Sequence, residues 1–246
     1  DVLVYTGRIA EMTDIIETDS TLDIGAAATY TTAKEKLVAQ YPDLHELIDR
    51  LGSRQIRNQG TIGGNVGNAS PIGDMPPVLI ALGARLILRK GSQRREVSVE
   101  DYFISYKKTL LQRSEFIERI LVPKASPQEF LKVYKISKRL EDDISATCGA
   151  FLMQVEDGEI KKAVIAFGGM AEIPKRASHC EAALINRPWN PNTMSVASEE
   201  LCKDFSPISD FRASAEYRLK VSQNFLHRLY LESTHSTSEI RVTHHA

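Results

Sequence analysis

Between Gln59 and Asp74 the chain reads Gln-Gly-Thr-Ile-Gly-Gly-Asn-Val-Gly-Asn-Ala-Ser-Pro-Ile-Gly-Asp, with glycines at 60, 63, 64, 67 and 73. Glycines this dense let a backbone turn tightly and lie close to another molecule. Successive N–H groups with no side chain above them also form a concavity for anions. The intervening residues are mostly small hydroxyls and amides. The stretch ends on a carboxylate, and an apolar run, Val78-Leu79-Ile80-Ala81-Leu82, follows closely. It reads either as a ligand loop or as a loop that merely packs tightly.

The rest of the chain narrows the choice. Its 246 residues suffice for one large domain or two modest ones. With 42% hydrophobic and 26% charged residues it has the composition of a globular protein. The net charge is −1 and the Lys and Arg residues are dispersed, which argues against nucleic acid as a partner. Cys148, Cys180 and Cys202 lack the spacing of a zinc or iron–sulfur site. They read as free thiols in a reducing, cytoplasmic setting, and no metal ligands are assigned. His45, His179, His227, His235, His244 and His245 have no ligand-like companions. No apolar run is long enough for a membrane span, and no signal peptide opens the chain. Residues 1–5 read instead as the inside of a strand, so the expectation is a chain that starts in mid-fold.

Periodicity divides the sequence into alternating strands and helices. Strands are expected over 2–5, 21–27, 85–89, 95–99, 116–123 and 131–136. A hairpin is expected from Ala146–Val155 and Ile160–Phe167 about a turn at Asp157-Gly158. Helices are expected over 9–16, from a Thr31 or Thr32 cap to Gln40, over 44–51, 78–82, 100–103, 176–185, 195–202 and from Ser209 to about Leu231. Residues from Glu232 onward are polar and read as frayed. The composition turns small and polar near Lys124–Gln128. A boundary there gives domains of 1–126 and 127–246, each α+β.

Two familiar phosphate motifs fail on the glycine-rich stretch. A P-loop needs a lysine after its last glycine, and none follows here. A Rossmann loop needs glycines spaced Gly-x-Gly-x-x-Gly before a helix, and a proline stands there instead. What remains is a set of N–H groups, the Asn65 amide, the Thr61 and Ser70 hydroxyls, and Asp74 as an acceptor. That mixture suits an adenine–ribose–pyrophosphate–flavin ligand. A lysine at a strand end, such as Lys135, would supply a polar group near the flavin ring.

Residues 54–65, Arg-Gln-Ile-Arg-Asn-Gln-Gly-Thr-Ile-Gly-Gly-Asn, and 70–74, Ser-Pro-Ile-Gly-Asp, resemble the second FAD-binding segment of the molybdenum hydroxylase flavoproteins. Ser105–Leu111, Lys135–Ile144 and Phe167-Gly168-Gly169-Met170-Ala171 extend the resemblance over nearly the whole chain, nearest to xanthine dehydrogenase. It implies a two-subdomain FAD-binding fold of the vanillyl-alcohol-oxidase type, then a CO-dehydrogenase-flavoprotein-like C-terminal α+β domain. It further implies that Thr61, Ile62, Gly63, Gly64 and Asn65 line FAD, and that Asp74 accepts a hydroxyl of it. Leu51 and Ile117 would give apolar contacts, while Lys135 would sit at the pyrimidine side of the ring. The acidic loop Glu141-Asp142-Asp143 would lie near the flavin. No residue of the chain is assigned as catalytic. Electrons would pass from [2Fe–2S] clusters of an upstream domain through FAD to NAD+, and purine would be hydroxylated at molybdopterin on a large subunit. Other members of the family act on carbon monoxide, aldehydes or N-heterocycles, and a non-redox assembly module without FAD is a further alternative. The chain departs from the family at Gly67, where a larger residue can stand, and at Lys107, where arginine is common. The family's first phosphate-binding segment would lie upstream of Asp1.

Overall fold

A computed structural model describes residues 4–234. The strand expected over 2–5 lies partly outside them; Val4 and Tyr5 join no strand and lead into a 3-10 turn, Thr6–Arg8. There follow α1 (Ala10–Thr13), β1 (Ile15–Glu17), β2 (Thr21–Gly25), α2 (Tyr30–Gln40), α3 (Leu44–Asp49), α4 (Arg54–Gln59), α5 (Ile62–Gly67) and α6 (Met75–Ala81). The middle of the chain forms β3 (Arg85–Lys90), β4 (Gln93–Ser98), α7 (Val99–Tyr102), β5 (Phe103–Ser105), β6 (Lys108–Thr109) and β7 (Phe116–Pro123). The remainder forms β8 (Glu129–Ile136), β9 (Thr147–Glu156), β10 (Glu159–Gly168), β11 (Lys175–Arg176), α8 (Ser178–Leu184), α9 (Pro191–Asp204) and α10 (Ala215–Thr234).

The fold is α+β, built on two antiparallel sheets. The first has the order β1-β2-β7-β3-β4 and the second β11-β10-β9-β8, while β5 and β6 form a small separate hairpin. Alternation along β9 shows how the second sheet serves two cores. Cys148, Ala150 and Leu152 face the first core, whereas Phe151 and Met153 face the second with Phe167, Phe225 and Leu229. α8, α9 and α10 cover that second face. α6 packs on the opposite face, against β9 and β10. Every residue of α6 is buried, and its prolines fall in the first turn, where no helical N–H is needed.

Four local expectations change. The helix expected over 9–16 stops at Thr13, because Ile15 and Ile16 pair with Ile24 and Asp23 of β2; β-branched residues favour that strand geometry. The cap of α2 is Thr29, whose extended backbone lets its hydroxyl accept from Thr32 N at 3.1 Å. The glycine-rich stretch is partly helical, as α5. Glu232 is not frayed: it is 5% exposed and accepts from Arg228 Nε at 2.7 Å and Tyr134 OH at 3.3 Å. A buried carboxylate needs such partners, and their presence carries α10 past Leu231.

Two glutamates, Glu118 within β7 and Glu115 just before it, are held by arginines. Glu118, 4% exposed at an irregularity in the β3–β7 pairing, accepts from Arg94 and Arg89. Glu115 accepts from Arg95 through both oxygens at 2.7 Å and from Gln112 N. The guanidinium bonds hold each carboxyl at about 2, below the ordinary 4.5. A lowered folded-state value means stabilisation that is complete above pH 4.5 and is lost as pH falls toward 2. Urea unfolding from neutral pH into that window is expected to show falling stability. Glu118→Gln, less stable at neutral pH, is expected to lose less across the window; equal losses would contradict the assignment.

Candidate functional site

Thr61 makes α5 possible. Its extended backbone ends the approach from α4, and its hydroxyl accepts from Gly64 N at 2.9 Å. The neighbouring donors are also engaged: Ile62 N with Ala28 O, Gly63 N with Ala26 O, and Asn65 N with Thr61 O. The bare N–H cradle expected here is therefore absent between Ile62 and Asn65. The glycines serve closeness instead. A Cβ on Gly63 would stand 2.5 Å from Ala26 O and from Ala26 Cβ, so only glycine lets α5 lie against that chain. A Cβ on Gly67 would lie 3.6 Å from Ile117 Cδ1, an ordinary contact.

Those small residues floor a groove of about 570 Å³. Ala26, Thr61, Gly63, Gly64 and Gly67 line it together with Ile9, Met12, Leu111, Phe116 and Ile117. Volume and lining fall in the range of small-molecule sites, which are mostly apolar with a few polar groups. Glu115 also lines it, ionised and already held by Arg95. The tip of the β5–β6 hairpin is fixed nearby. Lys107, at φ 57, donates to Asn68 O at 3.2 Å and Asn68 Oδ1 at 3.1 Å, just past α5.

The second half of the stretch enters the interior. Asp74 is 7% exposed and precedes α6 without its side chain capping that helix. Its Oδ2 accepts from Lys135 Nζ at 2.6 Å and its Oδ1 from Ser145 Oγ at 2.5 Å. Lys135 is the penultimate residue of β8 and is 6% exposed; it also donates to Arg50 O at 3.4 Å. Arg50 in turn donates to Lys135 O at 3.3 Å and to Leu140 O at 2.9 Å. Tyr30 OH and Asn65 Oδ1 are buried with no hydrogen-bond partner. Burial, then the charge of Asp74, pushes the Tyr30 phenol well up. The same two causes push up the thiol of Cys148, whose Sγ lies 3.9 Å from Asp74 O.

The residues singled out in the sequence thus divide. Thr61, Gly63, Gly64 and Ile117 meet at the groove, and Asp74 and Lys135 meet as a buried pair. Asn65 lies near Gly73, its oxygen 3.3 Å from where a Cβ there would be. Ile62 is fully buried in the first core, and Leu51 packs against that core beside Arg50. In the acidic loop, Asp143 accepts from Arg139 N and Ile144 N, while Glu141 and Asp142 are exposed. Arg50 and Ser145 do not stand out in the sequence, because an isolated arginine or serine carries no pattern until the fold brings it to Asp74 or Lys135. The three cysteines are free, as expected; Cys148 and Cys180 are buried and Cys202 is exposed. Among the described residues no group of acidic, His or Cys side chains could hold a metal, and no helix is long and apolar enough to cross a membrane.

Fold and site together define a two-sheet α+β unit with a glycine-floored groove and, separately, a buried carboxylate–ammonium pair. Residues 1–125 match the FAD binding domain in molybdopterin dehydrogenase, and residues 132–233 match the CO dehydrogenase flavoprotein C-terminal domain. The chain belongs to this family of FAD-binding flavoprotein units of the molybdenum hydroxylases. It is 30% identical to the glyceraldehyde dehydrogenase medium chain of Sulfolobus acidocaldarius, covering 90% of this chain and 79% of that one. It is also 30% identical to the xanthine dehydrogenase/oxidase of Gallus gallus, covering 94% of this chain but only 18% of the relative. The structure is similar to that of carbon monoxide dehydrogenase from Hydrogenophaga pseudoflava, with a TM-score of 0.84, 27% identity, and coverage of 90% of this chain and 77% of that one. The residues present fit FAD: Gly63, Gly64 and Gly67 put no side chain into the groove, and Asn65 on the same helix has a buried Oδ1 without a protein partner.

Gly63→Ala is expected to lower the melting temperature and cost about 1–3 kcal/mol as an overpacked contact. Gly67→Ala is expected to fold with near-native stability, since its methyl enters open groove. Thermal unfolding of the two variants checks this; equal losses would contradict it.

Proposed function

We propose that this chain is the FAD-binding portion of a xanthine dehydrogenase-like enzyme, carrying electrons from [2Fe–2S] clusters to NAD+ while a purine is hydroxylated at a molybdenum cofactor. The observation that carries the proposal is the groove floored by Gly63, Gly64 and Gly67 in a chain of this family. FAD, when bound, supplies the carrier that accepts and releases two electrons. The chain's own residues bind and tune it. Thr61, Gly63, Gly64 and Ile117 form the walls, with Ile62 holding α5 in the core and Asn65 contributing its free amide oxygen. Leu51 is a further apolar contact. Asp74 has lone pairs left to accept a hydroxyl from the ligand after bonding Lys135 and Ser145. Lys135 faces the pyrimidine side of the ring. Because the N–H groups of 62–65 are engaged, the pyrophosphate is held by other groups, which we assign to a segment upstream. In this reading the chain divides near residue 126, works in the cytoplasm, and pairs with a molybdenum-bearing large subunit and a [2Fe–2S] domain.

A second reading has specific support. The glyceraldehyde dehydrogenase medium chain is as similar in sequence as the xanthine dehydrogenase/oxidase and is matched over most of its length. An aldehyde or carbon monoxide dehydrogenase assembly with the same flavoprotein unit follows from it. Anaerobic addition of xanthine to the assembled enzyme, then of NAD+, separates the two. Bleaching of the flavin band by xanthine and its return with NAD+ are expected. Bleaching by an aldehyde but not by xanthine would move the assignment to the second reading, and absence of any flavin band would remove both.

A further inference from the structure

The Asp74 carboxylate is shared. One oxygen takes the Lys135 ammonium and the other takes the Ser145 hydroxyl, and Ser145 is 1% exposed. Lys135 lies at the end of β8 and Ser145 two residues before β9, so one carboxylate from the glycine-rich segment fastens both ends of the charged loop between them. Arg50 holds the same loop at Leu140 O. Hydrogen bonds to a carboxylate spread and stabilise its negative charge, and in a low-dielectric interior that effect reaches its neighbours strongly. Without the serine hydroxyl, Asp74 would turn its whole charge on Lys135.

We propose that Ser145 is a positioning residue that acts through Asp74 to set how much positive potential Lys135 presents to the bound cofactor. This rests on the flavoprotein reading above. Reduction adds negative charge to the cofactor, so a Lys135 less neutralised by Asp74 favours it. Ser145 is not among the residues that line the groove. Its influence is carried by two hydrogen bonds in series.

The test is a double-mutant cycle in the whole flavoprotein. Ser145→Ala is expected to retain FAD and to shift the flavin midpoint potential to more negative values, with Ser145→Thr restoring it. In an Asp74→Asn background the same Ser145→Ala change is expected to leave the potential where it was. An unshifted potential in Ser145→Ala, or an equal shift in both backgrounds, would overturn the proposal. The same cycle read by urea unfolding in FAD-free protein is expected to show coupling between positions 145 and 74, and additivity there would also overturn it. If the native protein takes up no FAD at all, the flavoprotein reading fails, while the unfolding cycle still reports on whether Ser145 acts through Asp74.

Discussion

The contact on which this architecture turns is the buried ion pair between Asp74 and Lys135. Its two members lie far apart in sequence: Asp74 leads into α6, and Lys135 lies near the end of β8 at the edge of the second sheet. Taking two charges out of water is expensive, and their attraction repays it only with good geometry and further hydrogen bonds. Ser145 and the Arg50 carbonyl provide those bonds. The pair is therefore best understood as specifying an arrangement rather than as a source of net stability. It fixes where the glycine-rich segment lies against the second sheet.

Around that pair the open edge of the second sheet is closed by side chains of the first part of the chain. An unpaired edge strand presents free N–H and C=O groups that invite association. Here Asp43 accepts from Val133 N at 2.7 Å and Arg50 donates to Lys135 O, so the two residues flanking α3 satisfy outward backbone groups in the C-terminal half of β8. α6 lies buried against the face of the same sheet. The groove is then a consequence: with α5 pressed onto Ala26, the glycines of α5 leave open space that Leu111, Phe116 and Ile117 line together with them.

Much of the fold is legible in the sequence. Strands β3, β4, β7, β8, β9 and β10 follow from alternation and turn residues, and the density of glycine between Gly60 and Gly73 marks the segment that lines the groove. The part that is not legible has a common physical cause. Periodicity reports a residue's own surroundings but not its partners. Ile15 and Ile16 fit a helix as well as a strand until β2 is beside them. Glu232 looks solvated until Tyr134 and Arg228 reach it. The N–H groups of 62–65 look free because two of their acceptors, Ala26 and Ala28, lie more than thirty residues away in sequence. Gly63 stands out by composition, but in the fold its bare Cα serves close packing against Ala26.

The central claim is that FAD lies in the groove floored by Gly63, Gly64 and Gly67. Fluorescence titration of FAD into whole protein carrying Gly67→Leu tests it most directly, because the added side chain enters the groove without touching the Asp74–Lys135 pair. The expected result is a folded protein whose FAD affinity falls at least tenfold relative to the native chain, about 1.4 kcal/mol. A folded Gly67→Leu protein that binds FAD as tightly as the native one would contradict it.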